Sequence, residues 1–258
     1  MADVGLDIGV ETVKTVVLHQ NNIVGSSVMK AGLNRVQTIE ASLEAALGEA
    51  GLARADVDGA VSTGIGLGDV RFSSGQVSEI AADARGIFWL HPKARTVVDV
   101  GSEHARAIRL NEQGQVIDFV RNQKCASGVG TFIQAMARAL EITVEEIGPL
   151  SLTSTNPLSM NSTCVVFAES EVVSLIHAKT PKPDIARAIH QVVGARTAAL
   201  VQRLGIMEDV CFIGGVARNP GVTALLENLL GVKLHVPSNP QLVGALGAAL
   251  VAAARRGQ

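Results

Sequence analysis

The sequence contains no tyrosine and one tryptophan, and aromatic residues reach only 3% of its 258 positions. Stacking platforms for bases are therefore nearly absent, which argues against single-strand nucleic-acid binding. The core must be packed from Val, Ile, Leu and Ala. A net charge of -2 leaves no basic footprint for a phosphate backbone, so partners must be recognised locally. Three cysteines, Cys125, Cys164 and Cys211, cannot all pair within one chain. The N-terminus runs straight into a strand-like segment without the charged and apolar regions of a secretory signal. Together these features read as a cytoplasmic protein with reduced thiols. The most apolar stretch, Leu242 to Ala253, is interrupted by Gly244 and Gly247 and falls short of the roughly 20 residues a membrane span needs. With 47% hydrophobic and 18% charged residues the chain is expected to fold compactly, as one large domain or two modest ones.

An internal repeat favours two. Sliding the sequence by 92 positions (99 − 7) places Asp7-Ile8-Gly9 on Asp99-Val100-Gly101. Glu11 then falls on Glu103, Lys14 on Arg106, Leu18 on Leu110 and Val24 on Val116. Each copy reads as three strands joined by tight turns, a β-meander. Helical periodicity follows at Arg35 to Leu52 and at Thr131 to Leu140. Further strands are expected at Gly59 to Ser62 and Val210 to Ile213, and helices at Pro183 to Leu204, Pro220 to Leu230 and Gln241 to Ala254. The fold class expected is α/β and duplicated. A first domain covers 1–93, a second covers 94–239, and the last helix, within 240–258, packs back on the first. The boundary near His91-Pro92-Lys93 reads as a hinge.

Three glycine turns carry the chemistry. Gly9, Thr12 and Lys14 offer backbone N–H groups, a hydroxyl and an ammonium to a phosphate. Asp7, at the strand end, would face a hydrated Mg2+ ion, which keeps most of its waters. The second copy supplies Asp99 and Gly101, followed by Ser102, Glu103 and His104. A third turn, Gly214-Gly215-Val216-Ala217-Arg218-Asn219, lies between an apolar strand and a helix and allows close approach of a flat nucleoside. In this order the turns resemble the actin, Hsp70 and sugar kinase superfamily. That resemblance implies an actin-like, ribonuclease H-like fold with ATP clamped between two domains.

Cys125 and Cys164 each precede a helical run, where the positive end of the helix dipole favours a thiolate. Two thiolates are too few for an all-cysteine [4Fe-4S] cluster, but a twofold dimer would supply four. The segments Lys124-Cys125-Ala126-Ser127-Gly128-Val129-Gly130-Thr131-Phe132 and Ser162-Thr163-Cys164-Val165-Val166-Phe167-Ala168-Glu169-Ser170-Glu171-Val172, with Ala84-Arg85-Gly86 and the third turn, resemble one family in particular. It contains the 2-hydroxyacyl-CoA dehydratase activators and the ATP-binding subunits of benzoyl-CoA reductase.

The resemblance implies that Cys125 and Cys164 ligate a cluster shared between two subunits, and that ATP hydrolysis drives an electron from it onto an acyl-CoA reductase or dehydratase component. A ferredoxin-like or flavodoxin-like donor would resupply it. It also implies cofactor contacts at Gly128, Gly130 and Glu169. Relatives commonly show Asp-Ile-Gly-Gly-Gln-Asp where this chain has Asp99 to His104, so His104 replaces an acidic residue facing the nucleotide's metal or attacking water. That change, and likeness to the shorter reductase ATPase subunit, favour a benzoyl-CoA-reductase-like electron-transfer subunit paired with a related chain. The alternative is a homodimeric dehydratase activator. A small-molecule kinase and a non-catalytic ATP-binding module are further options. Cys211, inside a strand-like run, reads as a core thiol. His19, His91, His177, His190 and His235 read as surface or satisfied core residues, and Lys93 and Arg95 as solvated charges. Glu169 and Glu171 either orient nucleotide or partner, or simply favour the helix start.

Overall fold

Period-two alternation builds the first sheet. In the computed structural model, which describes residues 2–122, 129–156, 158, 160 and 165–256, the N-terminal segment forms β1 (Ala2–Ile8). β1 pairs antiparallel with β2 (Thr12–His19), which pairs antiparallel with β3 (Asn22–Lys30). Helix α1 (Arg35–Ala50) returns the chain to β4 (Val57–Thr63), parallel to β1, and β5 (Gly75–Gln76) completes the order β3-β2-β1-β4-β5. Helix α2 (Glu79–Leu90) follows.

The second sheet repeats this plan. Strands β6 (Thr96–Val100), β7 (Ala105–Leu110) and β8 (Val116–Arg121) form its meander. Among the described residues the α-helices α3 (Val129–Ala139), α4 (Ile147–Leu152), α5 (Val165–His177) and α6 (Lys182–Leu204) then intervene. Strand β9 (Val210–Ile213) lies parallel to β6; α7 (Pro220–Leu230), β10 (Leu234–His235) and α8 (Val243–Arg256) end the chain. The order β10-β9-β6-β7-β8 matches the first sheet strand for strand. The chain divides into two compact units. The first comprises Met1–Ala94, Leu110–Val116 and Gln241–Gln258, and the second Arg95–Arg109 and Ile117–Pro240.

In the first unit, Val4, Leu6 and Ile8 of β1 and Val13 and Val17 of β2 bury against Ile39, Leu43, Ala46 and Leu47, the apolar stripe of α1. Asn34 caps that helix by accepting the Gln37 N–H, and Gly51, in the left-handed conformation at φ 66°, closes it. The other face of the sheet is covered by α8, where Val16 and Leu18 meet Ala245, Leu246, Ala249 and Leu250. This packing depends on missing side chains. A β-carbon on Gly5 would overlap the Ala245 carbonyl, and one on Gly247 would overlap the Ala82 carbonyl of α2. The apolar run at Leu242 to Ala253 is thus a buried helix. Among the described residues no helix is long and apolar enough to cross a membrane. The second unit buries Val98, Val100, Phe212 and Val210 of its sheet with Phe132 and Ile133 of α3, Ile189 and Val193 of α6 and Leu226 of α7.

Gly247→Val should lower unfolding free energy by about 3 kcal/mol or more, because the added side chain must displace backbone. Gly48→Ala, on the exposed face of α1 with open space where a β-carbon would sit, should raise it by about 0.5–1 kcal/mol. Urea denaturation midpoints at constant m-value check both.

Candidate functional site

At the end of β1 the chain turns through Gly9, whose N–H donates to the Thr12 carbonyl at 2.9 Å. The hairpin register sets Asp7 opposite Lys14, and Lys14 Nζ donates to Asp7 Oδ2 at 2.8 Å. A β-carbon at Gly9 would lie 3.2 Å from Lys14 Nζ, so the glycine leaves room for the ammonium. On the other side of Asp7, β4 is followed directly by Gly64 at φ 88°. A side chain there would come within 2.7 Å of Asp7 Oδ1 and 2.5 Å of the Ile8 carbonyl. Thr63, paired in register with Asp7, is buried, and its Oγ1 has no hydrogen-bond partner among the described residues. Asp83 of α2 is also buried. A β-carbon on Gly244 of α8 would lie 3.1 Å from Asp83 Oδ1 and 3.6 Å from Asp7 Oδ2. Two carboxylates from different elements thus converge on one helical glycine.

The second unit repeats the arrangement with other side chains. Gly101 N–H donates to the His104 carbonyl at 2.9 Å. Asp99 stands opposite Arg106 in register, and Arg106 Nε donates to Asp99 Oδ2 at 2.7 Å. His104 adds a contact that the first unit lacks, with Nε2 2.7 Å from the same oxygen. Its imidazole occupies the place a Gly101 side chain would take. Burial alone would push the Asp99 carboxyl up, but the facing His104 and Arg106 charges outweigh it and hold the carboxyl well below the usual range. Behind Asp99, Gly214 at φ 88° plays the part of Gly64: a side chain there would overlap Asp99 Oδ1. The Ser102 carbonyl accepts the N–H groups of Gly130 and Thr131 at 3.0 Å each. A β-carbon on Gly130 would lie 2.6 Å from the Gly101 carbonyl, so Gly130 seats the start of α3 on the turn. Glu103 is exposed.

In the third turn Val216 is buried, Gly215 is exposed, and nothing lies within 4 Å of where a Gly215 β-carbon would be. Asn219 is 9% exposed. Its Oδ1 caps α7 by accepting from Gly221 and Val222 N–H at 3.0 and 3.2 Å, and its Nδ2 reaches His190 Nε2 at 3.1 Å. His190, read from the sequence as a surface or satisfied core residue, is a satisfied core residue. It is 1% exposed, and burial pushes its pKa down to about 4.

Gly128, Cys125 and Cys164 lie outside the described residues. The helices that follow the two cysteines begin at Val129 and Val165. Glu169 is half-buried on α5. Cys211 is fully buried in β9, and burial, helped by Asp209, pushes its thiol up to about 12. Lys93 is exposed, whereas Arg95 is half-buried and engaged in a contact rather than simply solvated. His19 is half-buried, with no partner for Nδ1 among the described residues. The structure therefore gathers Asp7, Gly9, Thr12 and Lys14 in the first unit. In the second it gathers Asp99, Gly101, Ser102, His104, Gly130 and Gly214. Sequence reading missed Gly64 and Asp83. Neither stands on a like residue in the 92-residue repeat, so the repeat gave no signal for them.

Residues 4–252 match the BadF/BadG/BcrA/BcrD ATPase family. The chain is 39% identical over 253 residues to the 2-hydroxyisocaproyl-CoA dehydratase activator of Clostridioides difficile, covering 98% of this chain and 95% of that protein. It is 35% identical over 264 residues to a subunit of the benzoyl-CoA reductase of Thauera aromatica, covering 97% and 93%. Among solved structures, the activator of the 2-hydroxyisocaproyl-CoA dehydratase from Clostridium difficile with bound ADPNP superposes with a TM-score of 0.95 at 39% identity, covering 100% of this chain and 97% of that one. A ROK family glucokinase from Streptomyces griseus, 14% identical, shares the fold at a TM-score of 0.63 over 98% of this chain and 100% of its own. The duplicated two-sheet architecture is the actin-like ATPase fold.

A pH dependence of stability follows from His190. Between its ordinary value of 6.5 and about 4 the unfolded chain binds a proton that the folded chain does not. Stability should therefore fall as pH drops through this window, by about 3 kcal/mol from this group. Chemical denaturation at pH 7, 5.5 and 4.5 should show a slope that His190→Phe flattens.

Proposed function

This chain belongs to the BadF/BadG/BcrA/BcrD ATPase family, and on that premise we propose that it is an ATP-hydrolysing activator of an acyl-CoA dehydratase. In this reading it couples hydrolysis to delivery of a low-potential electron to the dehydratase. The observation that carries it is whole-chain likeness to a dehydratase activator, 39% identity with a TM-score of 0.95. Likeness to the reductase component is lower, at 35%. The residues Gly101 to His104 favour a reductase subunit with a related chain as partner. That turn is four residues long, whereas the likeness to the activator runs over 98% of the chain, so the activator takes precedence.

Nucleotide binding is supported by the glycine turns. In the first unit the Gly9 amide is committed within its hairpin, so the N–H groups of Val10 and Glu11 are the candidate phosphate donors there; in the second the Gly101 amide is likewise committed, which leaves those of Ser102 and Glu103. The nucleoside would lie at Gly214-Gly215. One Asp7 oxygen is held by Lys14 while the other faces Gly64, an arrangement that suits a hydrated Mg2+ contacted through water. Cys125 and Cys164, with the same pair from a second copy, would hold a [4Fe-4S] cluster. In sequence each cysteine precedes a helix, α3 from Val129 and α5 from Val165, an order that suits thiolate ligation. When bound, the cluster supplies one-electron chemistry.

The test is anaerobic purification followed by iron and acid-labile sulfide analysis, and by assay of ATP-dependent electron transfer to a 2-hydroxyacyl-CoA dehydratase. Iron should be present in parent protein and in Cys211→Ser, and nearly absent in Cys125→Ser and Cys164→Ser. A sole assembly with an unlike chain, and no activity as a homodimer, would favour the reductase-subunit reading.

Lys14→Ala and Asp7→Asn should lower ATP hydrolysis by roughly 10-fold or more, since charge near the phosphates stabilises the transition state. Iron content should stay at the parent level. Steady-state ATPase assays beside iron analysis check the separation.

A further inference from the structure

A buried chain of hydrogen bonds ends on the third turn. Ser151 of α4 donates its one hydroxyl proton to the Gly148 carbonyl at 2.7 Å. It must then accept from His190 Nδ1, 2.9 Å away, which fixes the proton on Nδ1 and leaves Nε2 a bare acceptor. Nε2 takes the Asn219 amide N–H at 3.1 Å, and this orients Asn219 Oδ1 toward the Gly221 and Val222 N–H groups. Every proton in the chain points one way, with no alternative pattern that satisfies all members.

The surroundings are shaped to this relay. A side chain on Gly221 would overlap Ser151 Oγ, and one on Gly148 would come within 2.6 Å of Asn219 Oδ1. Capping α7 needs none of this, because a serine oxygen at position 219 could accept the same N–H groups. Asn219 does both through two atoms, Oδ1 on the helix N–H groups and Nδ2 on the imidazole, whereas the single, shorter-reaching hydroxyl of a serine that caps the helix stops short of His190. The relay thus fixes the side chain of the residue that closes the Gly214–Asn219 turn, whose one exposed, open glycine is Gly215.

We propose that His190 is the positioning residue of this turn: acting through Asn219, it holds Gly214 and Gly215 in the conformation that receives the nucleoside. The inference rests on the reading that this turn takes the adenosine of ATP. His190 and Asn219 touch no ligand themselves. They pre-form the surface, so that nucleotide binding need not order it.

The experiment measures ADPNP affinity by calorimetry, and KM and kcat for ATP, on the full chain. Asn219→Ser keeps the helix cap and breaks the relay. It should raise KM and the ADPNP dissociation constant roughly three- to ten-fold, the loss of about one hydrogen bond, while kcat changes less than two-fold and the thermal midpoint falls by only a few degrees, because His190 Nε2 loses its donor but the protein stays folded at the assay temperature. His190→Phe should raise KM similarly, and the double variant should show no further increase. Gly215→Leu tests the underlying reading, because its side chain has room in the free protein and would block a nucleoside. Unchanged affinity in Gly215→Leu would mean the turn does not take adenosine. Weakened binding in Gly215→Leu with parent-like KM in both Asn219→Ser and His190→Phe would overturn the positioning role alone. So would additive effects in the double variant.

Discussion

Each sheet is organised around a carboxylate held at the end of its first strand, between a cation on the antiparallel neighbour and a positive-φ glycine just past the parallel neighbour. Asp7 sits between Lys14 and Gly64, and Asp99 between Arg106 and Gly214. The pairings follow from hairpin register, and the glycines from the absence of space for a β-carbon. A carboxylate taken out of water needs a partner, and removing the partner leaves a buried charge uncompensated. The ends of the strands are therefore constrained before any ligand arrives.

The same economy of side chains runs through the first unit. A chain with few aromatics cannot fill wide interhelical gaps, and here the gaps are narrow. Helix α8 lies on β1 and α2 with Gly5, Gly86 and Gly247 at the closest approaches, and six of its nine buried residues are alanine or glycine. Close backbone approach replaces bulk as the source of packing density. That is why an unusually apolar segment near the C-terminus belongs to the core.

The two turns are equivalent in backbone and different in chemistry. In the first, a lysine meets the aspartate and both remain partly exposed, at 16% and 17%. In the second, an arginine meets an aspartate only 5% exposed, and an imidazole fills the space above Gly101. A planar guanidinium and a fixed ring make a more rigid environment than a flexible ammonium. On the activator reading, the first turn keeps the more adaptable group near the phosphates while the second is tightly pre-set.

What the residues alone determined were features that local chemistry controls. The strand-turn-strand repeat was legible at Asp7-Ile8-Gly9 and Asp99-Val100-Gly101, and α1 and α7 were legible because apolar period and flanking Gly51, Pro220 and Gly231 are nearest-neighbour signals. Helix α2 escaped because its buried face is Ala82, Asp83, Ala84, Gly86 and Ile87, too small and mixed to show a stripe. Strands β5 and β10, two residues each, are too short for any period. The tertiary structure alone decided that Lys14 and Arg106 pair with aspartates, since cross-strand register selects partners. It alone made Gly64 the counterpart of Gly214, because the helices inserted before β9 move that glycine out of the 92-residue repeat (99 − 7). It alone joined Ser151, His190 and Asn219, which lie on separate elements and meet only because α4, α6 and α7 pack together around one core.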